Sequence, residues 1–397
     1  MTATVTPGRP ATDRLLVALV YLAGLLAAAQ FAKVAVALPE LGRLHPGTPA
    51  AWLAFAVSVI GLTGMVLGVV AGDVVARIGP RRALAGALTG GGVLSLVEAA
   101  SPPFPALMAL RLLEGASHLA IVVAAPPVMA AAASDAARPS VMGLWATFMG
   151  VGFAAMGLVA GPVLAAGGTA ALFALHGLAM LALAAALWRR LPHVALAGRG
   201  APGGLLAAHR AVYTAPRRAA PALGFVWYTL MYVSLLTFLP PRLGPAAAVA
   251  LPLASLVGTL AGGTLAGRIP PRTVLLSGFA GTAVLLPACW LLPPAAGLAT
   301  AAAGFAVMGL VPAATFASVP VLNPAPQDQA RASGAIAQMG NVGSTLGTPL
   351  FALALAGGDP GGLNALIVAL CACGMAAVLL GHRAIARAAA PRPGCPA

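Results

Sequence analysis

The chain has 397 residues, of which 60% are hydrophobic and only 8% charged, with 22 basic against 8 acidic side chains and a net charge of +14. An average soluble domain carries roughly 25% charged residues, so the composition excludes an ordinary soluble fold. Four cysteines, Cys289, Cys371 and Cys373 in apolar runs and Cys395 in the tail, show neither metal-ligand spacing nor a disulfide framework, so no metal or other cofactor is expected.

Apolar runs of about 18 to 25 residues recur along the chain, long enough to cross a hydrocarbon core about 30 Å thick. Lipid offers backbone amides no partner, so each run satisfies its own as a helix. A barrel is disfavoured because the runs lack alternation at period two. The expected fold is therefore an all-α membrane protein with twelve spans, near 15–38, 51–71, 83–100, 106–131, 140–166, 169–188, 221–240, 246–266, 273–293, 297–322, 333–356 and 363–381. The first run exceeds the 7–15 residue core of a signal peptide and is read as a retained helix.

Between the sixth and seventh runs lies RRLPHVALAGRGAPGGLLAAHRAVYTAPRRAA, with six arginines, no acid and several helix-breaking prolines and glycines. The expected organisation is a six-helix bundle over 1–188, a basic linker over 189–220 and a second six-helix bundle with its tail over 221–397. Cytoplasmic loops retain Lys and Arg. With the N-terminus inside, 18 of the 22 basic residues fall on the cytoplasmic side, among them Arg9, Arg14, Arg138, Arg199 and Arg392. Both termini are expected in the cytoplasm, with the basic charge facing anionic lipid rather than nucleic acid.

The loop between the second and third runs, GDVVARIGPRRAL (Gly72 to Leu84), returns as GTLAGRIPPRTVL (Gly263 to Leu275) between the eighth and ninth. The two share Gly, Arg, Ile, Pro, Arg and Leu at matched positions, so Gly72, Arg77 and Arg81 have counterparts in Gly263, Arg268 and Arg272. Each loop holds the same place in its own half, which makes the halves parallel repeats, as in transporters that open a site alternately to either side.

Two such halves and this repeated loop resemble the major facilitator superfamily over nearly the whole chain. The family pattern G-x-L-A-D-R-x-G-R-R is matched by Gly72, Val74, Val75, Ala76, Arg77, Gly79, Pro80 and Arg81, with Ala76 at the aspartate position and Asp73 the nearest acid. In the family that acid pairs with an arginine at the end of helix 4 or just beyond and latches one conformation; here the resemblance points to Arg138. Arg111 to Gly115, RLLEG, resembles a second pattern, R-x-x-Q-G. Gly157, Gly161 and Pro162 resemble a third, G-x-x-x-G-P, associated with exchangers that export solutes, and Gly343, Gly347 and Pro349 echo it. Small residues four apart also permit close helix packing.

Ionisable groups in a bilayer are costly and are functional candidates by default. Lys33, Glu98, Arg111, Glu114, His118 and His176 fall within runs. Lys33 and Arg111 lie roughly 7 to 8 Å from the outer ends of their helices, within snorkelling reach of the headgroups, and Glu98, near a run's end, is expected to reach them. Glu114 is roughly 12 Å deep and is the expected proton carrier, with His118 as relay; a fixed Arg111–Glu114 pair is the competing reading. Lys33 is the sole lysine, and with Gln30 and Arg111 it is expected to form an anion-attracting site, as a compact ammonium that arginine does not replace. Tyr228, Tyr232, Gln338 and Asn341 complete the expected substrate-binding set.

The chain reads as a secondary active transporter that moves a small organic solute by alternating access, coupled to protons and exporting by antiport. It is expected to act as a monomer in a bacterial-type cytoplasmic (inner) membrane. Proton-coupled uptake of a small organic anion is the alternative. No G-x-x-x-x-G-K-[ST] phosphate loop is present. The eight acids form no cluster of the kind an integral-membrane transferase needs, so an enzyme is the minor alternative and none is expected.

Overall fold

The computed structural model describes residues 11–191, 204–356 and 360–389. Arg9, Arg199, Asp359, Arg392 and Cys395 lie outside these, as does the side chain of Asp73. The described residues form helices and no strand. In chain order they are α1 (Arg14–Leu44), α2 (Ala50–Ser58), α3 (Gly61–Ile78), α4 (Pro80–Glu98), α5 (Phe104–Ala132), α6 (Arg138–Ala146), α7 (Phe148–Arg190), α8 (Gly204–Tyr213), α9 (Pro216–Phe238), α10 (Pro240–Leu243), α11 (Ala247–Ala266), α12 (Pro271–Ala288), α13 (Pro294–Met308), α14 (Leu310–Leu322), α15 (Pro326–Leu355) and α16 (Pro360–Ala389). All regular structure among the described residues is helical.

Among the described residues eight stretches are long and apolar enough to cross a membrane, or nine if α2 and Gly61–Gly68 of α3, bent by 56°, count as one. Two of the twelve expected runs coincide with α4 and α15, which are not among those eight. Glycines, arginines and amides dilute their apolar content. The expected fifth and sixth runs share α7, which is interrupted where Gly167 (φ −159°, ψ 21°) and Gly168 (φ 62°, ψ −159°) leave helical geometry. Gly168 takes a left-handed φ that a side chain would disfavour.

Helix starts follow proline chemistry. Pro80, Pro216, Pro271, Pro294 and Pro326 each open a helix, where the missing N–H has no partner to lose and φ is already helical. The repeated loops show this twice. Gly79, at φ 87°, turns the chain into Pro80 of α4, and Pro270 leads into Pro271 of α12.

The chain divides into two compact units, Met1–Lys33 with Ala71–Gly200, and Val34–Val70 with Ala201–Ala397. A division by sequence halves groups 34–70 with the first unit. Packing places them in the second, because α2 is tied to α15: Ser58 donates to the Thr345 carbonyl at 2.8 Å and Thr348 to the Ala54 carbonyl at 2.8 Å, all buried. In the first unit Val20, Leu84, Leu88, Ile121, Met129 and Met180 bring α1, α4, α5 and α7 into one core. In the second, α15 crosses α9 closely: a Cβ on Gly343 would lie 2.6 Å from the Val226 carbonyl, and one on Gly347 would meet the Leu230 carbonyl. Gly343 and Gly347 are thus packing residues.

Candidate functional site: a buried four-charge cluster

Glycines on α4 set up the site. A Cβ on Gly91 would fall against Ser117 of α5, 2.7 Å from Met180 of α7 and 3.0 Å from Gln30 of α1; one on Gly92 would lie 2.9 Å from the Gly177 carbonyl. Three helices, α1, α5 and α7, therefore approach α4 closely. Ser95 and Glu98 follow Gly91 at helical spacing on the same face, so α4 delivers a hydroxyl and a carboxylate to the junction.

There Lys33, Glu98, Arg111 and Glu114 meet, each side chain 0% exposed. The Lys33 ammonium donates to Ser95 Oγ (2.8 Å), Glu98 Oε2 (2.7 Å) and Glu114 Oε1 (2.9 Å), one acceptor for each hydrogen, and lies 5.0 Å from the Phe173 ring centroid. Arg111 donates to Glu114 Oε2 and, at 2.7 Å, to the Gln30 carbonyl. Two cations and two carboxylates balance. Unpaired charges at this depth cost several kcal/mol each, so the composition of the set is a condition for burying any of it.

Both oxygens of Glu114 are held by cations. Glu98 differs: Oε2 receives Lys33, whereas Oε1 is buried without a hydrogen-bond partner, 4.0 Å from the Arg111 guanidinium. Gln30 Oε1 is likewise buried without one, while its amide nitrogen donates to Ser117 Oγ at 3.2 Å.

Two histidines border the cluster. His176 Nε2 lies 3.1 Å from the Leu26 carbonyl, which only accepts, so Nε2 carries a hydrogen and a neutral ring leaves Nδ1 to accept from Ser95 at 3.0 Å. The Ser95 hydroxyl also lies 2.8 Å from the Phe173 carbonyl, a second acceptor for its one hydrogen. His118 donates from Nδ1 to the Ala27 carbonyl at 3.0 Å and packs edge-on to Phe31. His176, through Ser95, is the histidine bonded into the cluster.

These positions revise several expectations. Glu98 does not reach the headgroups: it is 1% exposed, because the chain returns through α5 over its end of α4. Nor do Lys33 and Arg111 snorkel, since carboxylates within the fold hold them. With those partners they form an internally neutral set rather than an open anion site.

The remaining expected site residues lie apart from this cluster. Tyr228 and Tyr232 are buried on α9, stacked at 5.4 Å between ring centroids, with Phe225 and Phe305 alongside. Gln338 accepts from Tyr213 of α8 at 2.7 Å, and its nitrogen donates to the Met65 carbonyl of α3 at 2.9 Å, next to His209 Nε2 at 2.6 Å. It is a tie between α8, α15 and α3. Asn341 donates to Ala337 of its own helix and fills the space left by Gly64. Arg81 donates to the Trp188 carbonyl at 2.7 Å with its guanidinium 4.3 Å from the Trp188 ring centroid. Arg77, Arg268 and Arg272 are exposed, and Gly72 has open space where a Cβ would stand. Arg138 pairs with Asp135 at 2.6 Å. Gly157, Gly161 and Pro162 lie on α7; a Cβ on Gly161 would meet nothing within 4 Å, so close packing does not account for that glycine.

A cavity of about 730 Å³ opens in the same unit, lined by Arg14, Tyr21, Ser134 and Ser140 among others. Tyr21 precedes Lys33 by roughly 18 Å along α1, and none of the expected site residues lines the cavity.

A family model described as Major Facilitator Superfamily matches residues 20–348. No curated protein matches the chain. Among solved structures, the chain is similar to a bacterial homolog of the human lysosomal transporter Spinster in its inward-facing, unoccupied conformation, with TM-score 0.68, 14% identity and 95% of each chain covered. The occupied inward-facing form of a bacterial Spinster homolog gives TM-score 0.71 and 15% identity, over 95% of this chain and 98% of that one. At such identity the likeness concerns the fold.

Proposed function

The chain belongs to the Major Facilitator Superfamily, and from that premise we propose that this transporter moves a small organic solute by alternating access in exchange for protons. The observation that carries proton coupling is the buried cluster of Lys33, Glu98, Arg111 and Glu114. Four full charges are an expensive way to pack helices that apolar residues would pack as well. A balanced set is also one that a single proton unbalances. Binding or losing that proton changes the energy of whichever conformation keeps the cluster dry, which is what a coupled carrier requires. Glu114 belongs to that cluster and His118 borders it, and Gln30, Tyr228, Tyr232, Gln338 and Asn341 are the polar and aromatic groups proposed to serve the solute.

The proposal includes twelve spans in two six-helix pseudo-repeats, 1–188 and 221–397, joined by the basic linker 189–220. Counting α2 with α3 once, α7 twice about Gly167–Gly168, and adding α4 and α15 to the remaining spans supports that number. Both termini then lie in the cytoplasm of a cell whose cytoplasmic membrane holds the monomeric protein. Export rests on Gly157, Gly161 and Pro162. The conformational loop is assigned to Gly72, Asp73, Arg77, Gly79 and Arg81, with Arg268 and Arg272 in its repeat.

The test is flux into proteoliposomes under an imposed pH gradient, with ethidium and benzenesulfonate as cationic and anionic probes. Antiport predicts that an acid interior drives accumulation of a transported probe above protein-free vesicles. Accumulation driven by an acid exterior would support uptake with protons instead, and protein-dependent flux indifferent to the gradient would remove proton coupling.

A further inference from the structure

We propose that Glu98, on α4, is the group that binds the proton, and that Glu114 is a fixed counter-ion. The inference deepens the proton-coupled reading above and rests on it for its role in transport. Its structural basis is the unequal treatment of the two carboxylates. A proton on Glu114 must displace Lys33 from Oε1 or Arg111 from Oε2. A proton on Glu98 displaces nothing, because Oε1 has no donor and is buried. A carboxylate oxygen left without a donor away from water is destabilised, and protonation there removes the charge that makes it so.

The charges around Glu98 come from every side. Lys33 of α1 bonds its other oxygen, Arg111 of α5 stands 4.0 Å from the orphaned one, Glu114 of α5 shares Lys33 with it, and His176 of α7 is reached through Ser95; His118 of α5 is turned to the α1 backbone. The step is a simple binding. One proton adds to Oε1, the carboxylate becomes a neutral acid, and the cluster passes from balanced to one positive charge in excess. Lys33 keeps Glu114 and Ser95 but loses its second anion. That excess is unfavourable while the cluster stays dry, so the protonated carrier favours a conformation that admits water or an anion to Lys33. Lys33 is on this account a positioning residue: it sets the charge that the proton offsets.

Infrared difference spectroscopy of the full-length protein in lipid, between alkaline and acidic buffer, tests the assignment without a solute. A protonated carboxylic acid gives a carbonyl-stretch band that a carboxylate lacks. The band is expected on acidification of wild type, is expected only at lower pH in Glu114→Gln, where the two cations already outnumber the remaining carboxylate, and is expected to be lost in Glu98→Gln. Glu98→Asp, which keeps a carboxyl group at the site, should shift the band rather than delete it, and covers the case in which Glu98→Gln does not fold. A band that persists in Glu98→Gln and vanishes in Glu114→Gln overturns the assignment, as does its absence from wild type. Because the readout needs no flux, a failure here is distinct from a failure of proton-coupled transport in vesicles.

Discussion

Lys33 and Glu98, 65 positions apart in the chain, meet at 2.7 Å with neither side chain exposed. Breaking a buried pair from one side leaves a charge without its partner, at roughly 3–5 kcal/mol. Lys33→Met is therefore expected to lower the melting temperature of the detergent-solubilised protein markedly. Lys33→Met combined with Glu98→Gln restores charge balance and should recover much of that loss. Additive losses would show that the two groups do not act together.

Lys33→Arg keeps the charge and changes the shape. The ammonium uses three acceptors at 2.7 to 2.9 Å and lies 5.0 Å from the Phe173 ring centroid, an arrangement that the larger, planar guanidinium does not reproduce. Overpacking costs about 1–3 kcal/mol, so this substitution is expected to destabilise despite conserving charge. A melting curve that matches wild type would mean the site tolerates either cation.

Gly177 and Gly92 let α7 and α4 touch through their backbones: a Cβ on Gly177 would lie 2.7 Å from the Gly92 carbonyl. Gly177→Val should separate these helices and pull Ser95 and Glu98 away from Lys33, again at about 1–3 kcal/mol. Gly86→Ala, where a Cβ would meet nothing within 4 Å, should be neutral or stabilising by up to about 1 kcal/mol. Thermal melts of both variants check the contrast.

Tyr213 anchors α8 to Gln338. Tyr213→Phe removes one hydrogen bond, about 0.5–1.5 kcal/mol, and is expected to speed amide hydrogen exchange in Gly204–Tyr213 while leaving the α4 and α5 amides unchanged. Unaltered exchange in α8 would show that the helix is held by its apolar face alone.

Much of this was legible in the sequence because lipid imposes length and polarity on each span separately. The apolar runs coincide with helices, Pro80 and Pro271 mark matched starts in the two repeated loops, and Gly167–Gly168 falls where the expected fifth and sixth runs part. Glu114, Arg111 and Lys33 were identifiable because each is an ion within an apolar run. The burial of Glu98 is not legible in this way, because depth along one helix says nothing of what covers its end. A usable signal was present in Gly91, Ser95 and Glu98, which put a small residue, a hydroxyl and an acid on one face of α4. α8 is hidden in the sequence because the prolines and glycines ahead of Gly204 read as linker, and its ties to Gln338 involve partners 125 and 129 positions away.

Solute-driven proton movement tests the central claim most directly. With proteoliposomes carrying an internal pH dye and an accepted solute added outside, exchange predicts that wild type makes the interior more alkaline as protons leave. Glu98→Gln should leave internal pH unchanged while solute still crosses. Solute flux through wild type with no change in internal pH, or proton movement in Glu98→Gln equal to that of wild type, would contradict the account.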